Sequence, residues 1–277
     1  MSEEELWAGQ LGKTWARLAE AIDRQLEPAG TVGIAALAPQ RGEAILDLGC
    51  GAGATTASLS HAVGPEGRVT GVDISPDLIA VARTRSGNER ADFIVGDART
   101  RAFEPAAYDA LFSRFGCMFF NDPAATFAHF RKAMKPGGRA VLVVWREMRL
   151  NPWATIPAGV GAELFGPADP PAPGAPGPFA WADPEFFQPI LEEAGFAAVA
   201  WTQAPLMLQV GEAGPHDPVE RAAAMLVHLG PLARRLRDAP NELRRAAAER
   251  LAPKLRPFVS DGWVRLPGAI WVISARA

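Results

Sequence analysis

Apolar and polar positions change rhythm several times along the chain, and each rhythm predicts an element. Trp7, Leu11, Trp15, Leu18, Ala19, Ile22 and Leu26 recur at helical spacing, so residues 5–27 read as one or two amphipathic helices. Pro28-Ala29-Gly30 breaks that pattern, and a second apolar helix over 32–37 leads to a turn at Pro39. Short apolar runs then alternate with helical ones. Strands are predicted at 44–48, 68–73, 92–95, 108–113 and 139–145. The last of these is apolar throughout, as expected for a strand covered on both faces. Between them lie a helix over 53–63 that stops at Gly64-Pro65, and one capped by Ser75 with Pro76 at its first position. A third starts at Asp122-Pro123 and closes near Met134 at Lys-Pro-Gly-Gly. Strands alternating with helices imply parallel strands joined by crossovers, an α/β protein.

The alternation fails after Trp145. Residues 149–182 are rich in proline and glycine, densest over 170–178, and read as a long stretch without regular structure, functional or mobile. Asp183-Pro184 opens a helix to Ala194, and Gly195-Phe196 turns into a strand over 197–202. Residues 218–256 are helical, with Ala222, Met225, Leu226 and Leu229 on one face, and 266–274 form the last strand. There is no internal repeat.

The most informative local feature is the run Ile45-Leu46-Asp47-Leu48-Gly49-Cys50-Gly51-Ala52-Gly53-Ala54-Thr55-Thr56. An apolar strand ends in a glycine-rich turn and opens a helix. Glycine lets backbone approach a ligand and tolerates positive φ, and a helix start offers unpaired N–H groups. Asp73, at the end of the next strand, can accept hydrogen bonds from two ribose hydroxyls. Together these describe a pocket for a nucleoside-bearing cofactor. The Gly-x-Gly-x-Gly spacing is tighter than the Gly-x-Gly-x-x-Gly of dinucleotide sites. Asp47 stands on the approach, where a carboxylate repels a pyrophosphate and suits an ammonium and a sulfonium.

At these residues the chain resembles the class I S-adenosylmethionine-dependent methyltransferases, in particular the group similar to the ubiquinone and menaquinone biosynthesis methyltransferases. The resemblance rests on Asp47-Leu-Gly-Cys-Gly-Ala-Gly53, Gly71-Val-Asp73-Ile-Ser75, Gly96-Asp97-Ala98, Phe112-Ser-Arg-Phe-Gly-Cys-Met-Phe-Phe120 and Lys135-Pro-Gly-Gly138, five motifs in order across residues 40–145. It implies a Rossmann-like, doubly wound, seven-stranded sheet whose last strand is antiparallel. It implies S-adenosylmethionine as cofactor and a small-molecule acceptor. Gly49, Gly51 and Gly53 would pass under the cofactor, Asp47 would serve its amino-acid end and Asp73 its ribose. Ile74 would pack on adenine, Asp97 would accept from the adenine amino group, and the Ala98 N–H would lie near the ring. Asp97 has a turn role as its alternative. Ser113, at the end of the fourth strand, joins the cofactor set. The family's last two strands form a hairpin beside strand five. Here their counterparts are far apart in sequence, which gives three expected units: an N-terminal helical lid (1–38), a cofactor-binding core (39–210 with 261–277) and an inserted helical cap (211–260).

Ligands of doubly wound sheets lie beyond the carboxyl ends of the strands. Arg114, Phe115, Met118 and Phe119 follow strand four there; Arg146 and Trp153 follow strand five. These six are the expected acceptor-lining residues, with ordinary packing as the alternative for Arg146 and Trp153. Trp7 and Trp15 form either a helix stripe or a lid over the cofactor. Asp109, at the opposite end of its strand, reads as structural. Among four histidines, His228 in the cap is the candidate base, against a role at the end of its own helix. Methyl transfer from a sulfonium depends heavily on alignment, and a base is needed only where the acceptor starts protonated. The family pattern favours oxygen or carbon acceptors. A nicotinamide oxidoreductase, or a cofactor-binding module without methyl transfer, are the competing functions.

Composition narrows the picture further. The chain has 277 residues, is 48% hydrophobic and carries a net charge of −3, which argues against general nucleic-acid binding. Residues 231–256 are basic, with eight Arg or Lys against three acids, reading as a solvated helical face or a site for an anionic partner. The two cysteines, Cys50 and Cys117, fall in interior motif segments, so no disulfide framework is expected and a reducing, cytoplasmic setting fits. No spacing suggests a metal site. The acidic start lacks a signal pattern, and no apolar run is long enough to span a membrane. The oligomeric state stays open, a homodimer among the options.

Overall fold

The computed structural model describes residues 3–85, 87, 90–172 and 174–277. Three helices lead in: α1 (Glu3–Ala8), α2 (Gln10–Arg17) and α3 (Ala19–Leu37). Then follow β1 (Ala44–Leu48), α4 (Ala54–Val63), β2 (Arg68–Asp73), α5 (Pro76–Thr84), β3 (Ala91–Val95), β4 (Tyr108–Arg114), α6 (Pro123–Ala133) and β5 (Met134–Trp145). The remainder comprises α7 (Pro152–Phe165), α8 (Pro184–Glu193), β6 (Ala197–Val210), α9 (Pro218–Leu226), α10 (Gly230–Arg235), α11 (Asn241–Leu255), β7 (Val259–Ser260) and β8 (Trp263–Arg276).

The main sheet has the order β3-β2-β1-β4-β5-β8-β6. Strands β1 to β5 pair in parallel, and β8 is antiparallel to both β5 and β6. This is the expected seven-stranded arrangement with a reversed last strand. The two-residue β7 adds an eighth strand by pairing with β8. The order reverses at β1 and β4, so their carboxyl ends flank the switch point.

Three predicted boundaries move, each for a tertiary reason. The helix does not break at Pro28: α3 runs unbroken through it. Its small residues hold it against the sheet, since a Cβ at Gly33 would lie 2.4 Å from Val143 and one at Gly30 would lie 3.4 Å from Arg114. Burial along that face outweighs the one backbone donor that proline removes. The stretch 149–182 is not wholly irregular, because α7 forms within it despite Pro157. Its Trp153, Ala154 and Val160 are buried. Strand β5 starts at Met134 rather than 139, since Met134 pairs with Tyr108 before Lys135–Gly138 bulges out of register.

Strands β6 and β8 are also longer than predicted, and their extra length extends the sheet past the carboxyl edge of β5. Trp145, the last residue of β5, pairs with Ile270, which in turn pairs with Ala204. Residues 205–210 and 264–269 therefore continue as a two-stranded overhang past the carboxyl edge of β5. Helix α9 packs on that overhang and on α11, and α7 packs on both α10 and α11 beside it.

Candidate active site

The glycine turn after β1 takes the conformation that only glycine adopts cheaply. Gly49, Gly51 and Gly53 have φ of 66°, 55° and 81°. Gly49 is closed in by protein, because a Cβ there would lie 2.7 Å from the Gly116 Cα, where the loops after β1 and β4 cross. Gly51 differs: no atom lies within 4 Å of where its Cβ would be. Its N–H donates to Asp73 Oδ2 at 2.9 Å, while Asp73 Oδ1 accepts from the Ser75 N–H at 2.9 Å. Burial raises the Asp73 pKa above the usual carboxylate value, against the lowering effect of those two bonds. Each carboxylate oxygen accepts more than one bond, so capacity remains for ligand hydroxyls.

Asp47 lies behind the turn, fully buried. Its Oδ2 accepts from Thr56 at 2.7 Å and Thr55 at 2.9 Å, both on the first turn of α4. Its Oδ1 is buried without a hydrogen-bond partner among the described residues. Burial pushes its pKa up to about 6, against the two hydroxyls and the Arg114 charge. Cys50 and Cys117 are free and buried, and burial raises both thiols.

On the far side of β2, Gly96 donates its N–H to the Asp73 carbonyl at 2.9 Å. Ile74 is half-buried and Ala98 buried at this same end. Asp97 is gripped by Arg99, whose Nε lies 2.9 and 3.1 Å and whose Nη2 lies 2.8 Å from the carboxylate oxygens. An open depression of about 400 Å³ is lined by Gly96, Asp97, Thr100, Arg101 and Ala102. Arg99 did not emerge from the sequence, although its place two residues after Asp97 is the available signal.

Ser113, Arg114 and Arg146 are likewise engaged within the protein. Ser113 is fully buried; its hydroxyl donates to the Leu48 carbonyl at 3.0 Å and accepts from the Cys117 N–H at 3.2 Å, tying the two loops together. Arg114 turns to α3, donating to the Leu26 carbonyl at 3.2 Å and pairing with Asp23 at 3.4 Å. Asp23 also pairs with Arg85 at 2.6 Å. Arg146 lies 4.4 Å over the Trp271 ring, and its Nη1 donates to Gln203 Oε1 at 2.7 Å, on the β6–β8 side.

The remaining acceptor-side candidates are aromatic or apolar. Phe115 has φ of 65°, a strained value for a non-glycine residue. It stacks on Trp145 at 4.2 Å; Trp145 meets Trp153 at 4.8 Å, and Trp153 meets Phe179 at 5.8 Å. Met118 is buried, and Phe119 is half-buried against Trp7 at 5.4 Å. Asn151 anchors this wall: its Oδ1 accepts from the Trp153 indole and the Ala269 N–H, and its Nδ2 donates to the carbonyls of Arg146, Glu147 and Ala269. The cap closes on it from above, since a Cβ at Gly230 would lie 3.3 Å from Trp153. His228, two residues earlier, is half-buried; burial, then Arg17 and Arg244, hold its pKa below the usual value, opposed by Glu212. No group of three or more metal-binding side chains occurs among the described residues.

Residues 45–138 match the methyltransferase-domain family. A 105-residue stretch is 33% identical to the demethylmenaquinone methyltransferase of Lactococcus lactis, covering 37% of this chain and 42% of that protein. A 108-residue stretch is 38% identical to a 37.1 kDa protein encoded in a transposon of Streptomyces fradiae, covering 39% of this chain and 31% of that protein. The chain thus matches less than half the length of these curated relatives. Among solved structures, a phosphoethanolamine N-methyltransferase of Haemonchus contortus, in complex with phosphomonomethylethanolamine and S-adenosylhomocysteine, superposes with a TM-score of 0.53 at 18% identity, over 89% of this chain and 52% of that one. The family match, residues 45–138, spans the glycine turn, Asp73, Asp97 and β4. Residues 45–138 thus match the methyltransferase-domain family, and the chain around them has a Rossmann-like fold similar to that of solved methyltransferase structures.

Proposed function

We propose that this chain is an S-adenosylmethionine-dependent methyltransferase acting on a small-molecule acceptor at oxygen or carbon. The observation that carries the reading is the open face of Gly51, at positive φ, beside a carboxylate that already holds the Gly51 N–H. A flat, close surface next to an acceptor for ribose hydroxyls fits a nucleoside. The orphaned Oδ1 of Asp47 fits an ammonium donor better than a pyrophosphate. Gly49, Gly51, Gly53, Asp47, Asp73, Ile74, Asp97 and Ala98 would hold the cofactor; Ser113 supports their loops. When bound, the cofactor supplies a methyl group activated by a positively charged sulfur.

The protein's part is orientation. Phe115, Met118, Phe119 and Trp153 would enclose the acceptor in an apolar wall, and aligned, water-poor placement is the main aid this transfer needs. His228, held toward its neutral form, is the proposed proton acceptor for a hydroxyl or carbon acid. Arg114 and Arg146 act at a distance, by fixing α3 and the β6–β8 side. Of the expected N-terminal unit, 1–38, residues 3–17 serve as lid while α3 packs on the sheet; 39–210 with 261–277 serve as core, and 211–260 as cap. Two buried free thiols favour a cytoplasmic setting, and among the described residues no helix is long and apolar enough to cross a membrane.

Calorimetric titration with S-adenosylmethionine, S-adenosylhomocysteine and NAD tests the cofactor. Saturable binding of the first two and none of NAD is expected; NAD binding alone would replace the reading with the oxidoreductase. A labelled-methyl acceptor screen then separates an enzyme from a binding module, which would hold the cofactor and transfer nothing.

A further inference from the structure

Helices α1 and α2 lie across the cofactor cleft. Helix α2 is seated on the end of β2, since a Cβ at Gly12 would lie 2.3 Å from the Ser75 hydroxyl, two residues past Asp73. Trp15 and Ala16 pack with Val81 around a small buried cluster of Ala19, Ala52 and Leu78, separate from the main core, and Ala52 belongs to the glycine turn itself. Further along the lid, Trp7 meets Trp15 at 5.0 Å and Phe119 at 5.4 Å, both edge-on. Residues 3–17 thus reach from the end of β2 to the loop after β4. Helix α2 thus covers Ala52, next to Gly51, and a ligand lying on Gly51 would sit beside that helix.

Two joints permit that movement. Gly9 (φ −112°, ψ −127°) separates α1 from α2, and Leu18 (φ −96°, ψ 11°) separates α2 from α3. The outer end is fastened electrostatically. Glu4 on α1 is ion-paired with Arg99, and the same guanidinium grips Asp97. The Asp97 side of this chain is tight: the Arg99 backbone N–H also donates to Oδ1 at 2.9 Å. The Glu4 side is looser, with that side chain 44% exposed. Exposed pairs of this kind are worth at most about five-fold in an equilibrium constant, weak enough to open on each turnover.

We infer that Glu4, Arg99 and Asp97 form a latch that holds residues 3–17 closed over the bound cofactor, and that release of the spent cofactor requires the Glu4–Arg99 pair to break. Arg99 is the positioning residue, tying closure of the lid to the rim residue proposed for adenine. The latch rests on the S-adenosylmethionine reading.

Release of S-adenosylhomocysteine from the full chain, followed by stopped-flow tryptophan fluorescence, tests it. Glu4→Gln keeps the Asp97–Arg99 pair and should raise the dissociation rate by about two- to five-fold. Amide hydrogen exchange over residues 3–17 of the complex should quicken in the same variant. High salt should reproduce both changes in the wild type and add little to Glu4→Gln. A release rate and exchange pattern unchanged by Glu4→Gln, in a protein whose wild type binds S-adenosylhomocysteine, overturns the latch and leaves the cofactor reading intact. A wild type that does not bind it overturns both.

Discussion

Burial opposes ionisation of Asp47 more strongly than the Thr55 and Thr56 hydroxyls and the Arg114 charge favour it, and Asp47 has no exposed surface. Its pKa stands near 6 where the usual value is 3.8. Between those values the folded chain binds the proton more tightly than the unfolded one. The stability associated with the protonated group is complete below the lower value and is lost as pH rises through the upper one, by about 3 kcal/mol in total. Asp47→Asn keeps the shape and still accepts from Thr55 and Thr56. It should stabilise the protein by about 2–3 kcal/mol at pH 7.5, and by much less near pH 4. Denaturant midpoints measured from pH 4 to 8 check this; a gap between variant and wild type that does not widen with pH would show that Asp47 carries no buried charge. The same variant should bind S-adenosylmethionine more weakly, the pattern of a residue kept for a ligand at the expense of the fold.

Within the glycine turn, position decides whether an added methyl group hurts the fold or the site. Gly49→Ala would drive a Cβ to 2.7 Å from the Gly116 Cα, backbone against backbone, and should lower the melting temperature sharply. Gly51→Ala meets no protein atom and should cost only about 1–2 kcal/mol for its left-handed backbone. It should nevertheless abolish cofactor binding. Melting curves and calorimetry on the two variants separate these effects; retained affinity in Gly51→Ala would remove the open face from the site. The turn itself was legible in the sequence because its chemistry is local. So were the helix caps, where Ser75, Asp122 and Asp183 each accept from an N–H two or three residues on. The continuity of α3 through Pro28 was not, because it depends on Gly30 and Gly33 meeting residues of β4 and β5 more than 70 positions away. Asn151 ties α7 to Ala269 across 118 residues, a contact no local pattern announces. Arg114 and Arg146 were placed at the right strand ends, but their partners, Asp23 and Trp271, follow only from the packing of α3 and the β8 overhang.

The whole molecule joins two walls that the sequence separates: the glycine turn proposed for the cofactor and the aromatic wall beneath the proposed cap. The basic excess of 231–256 turns out to be spent partly on fastening that cap. Arg235 donates to the carbonyls of Gly161 at 3.2 Å, Phe165 at 3.1 Å and Gly166 at 2.6 Å, closing the end of α7. Lys254 pairs with Glu163 of the same helix at 2.8 Å. Helix α7 carries Trp153, so these contacts set the proposed acceptor wall from outside, whereas the glycine turn depends on Asp73 and β2. Arg235→Ala strips three carbonyls of a charged donor, an expected loss of about 1.5–3 kcal/mol in stability. Turnover of whichever acceptor the labelled-methyl screen identifies should then fall several-fold, with the affinity for S-adenosylhomocysteine close to wild type. A parallel fall in both would mean that cap and cofactor turn behave as one body, and the division into cap and core would fail.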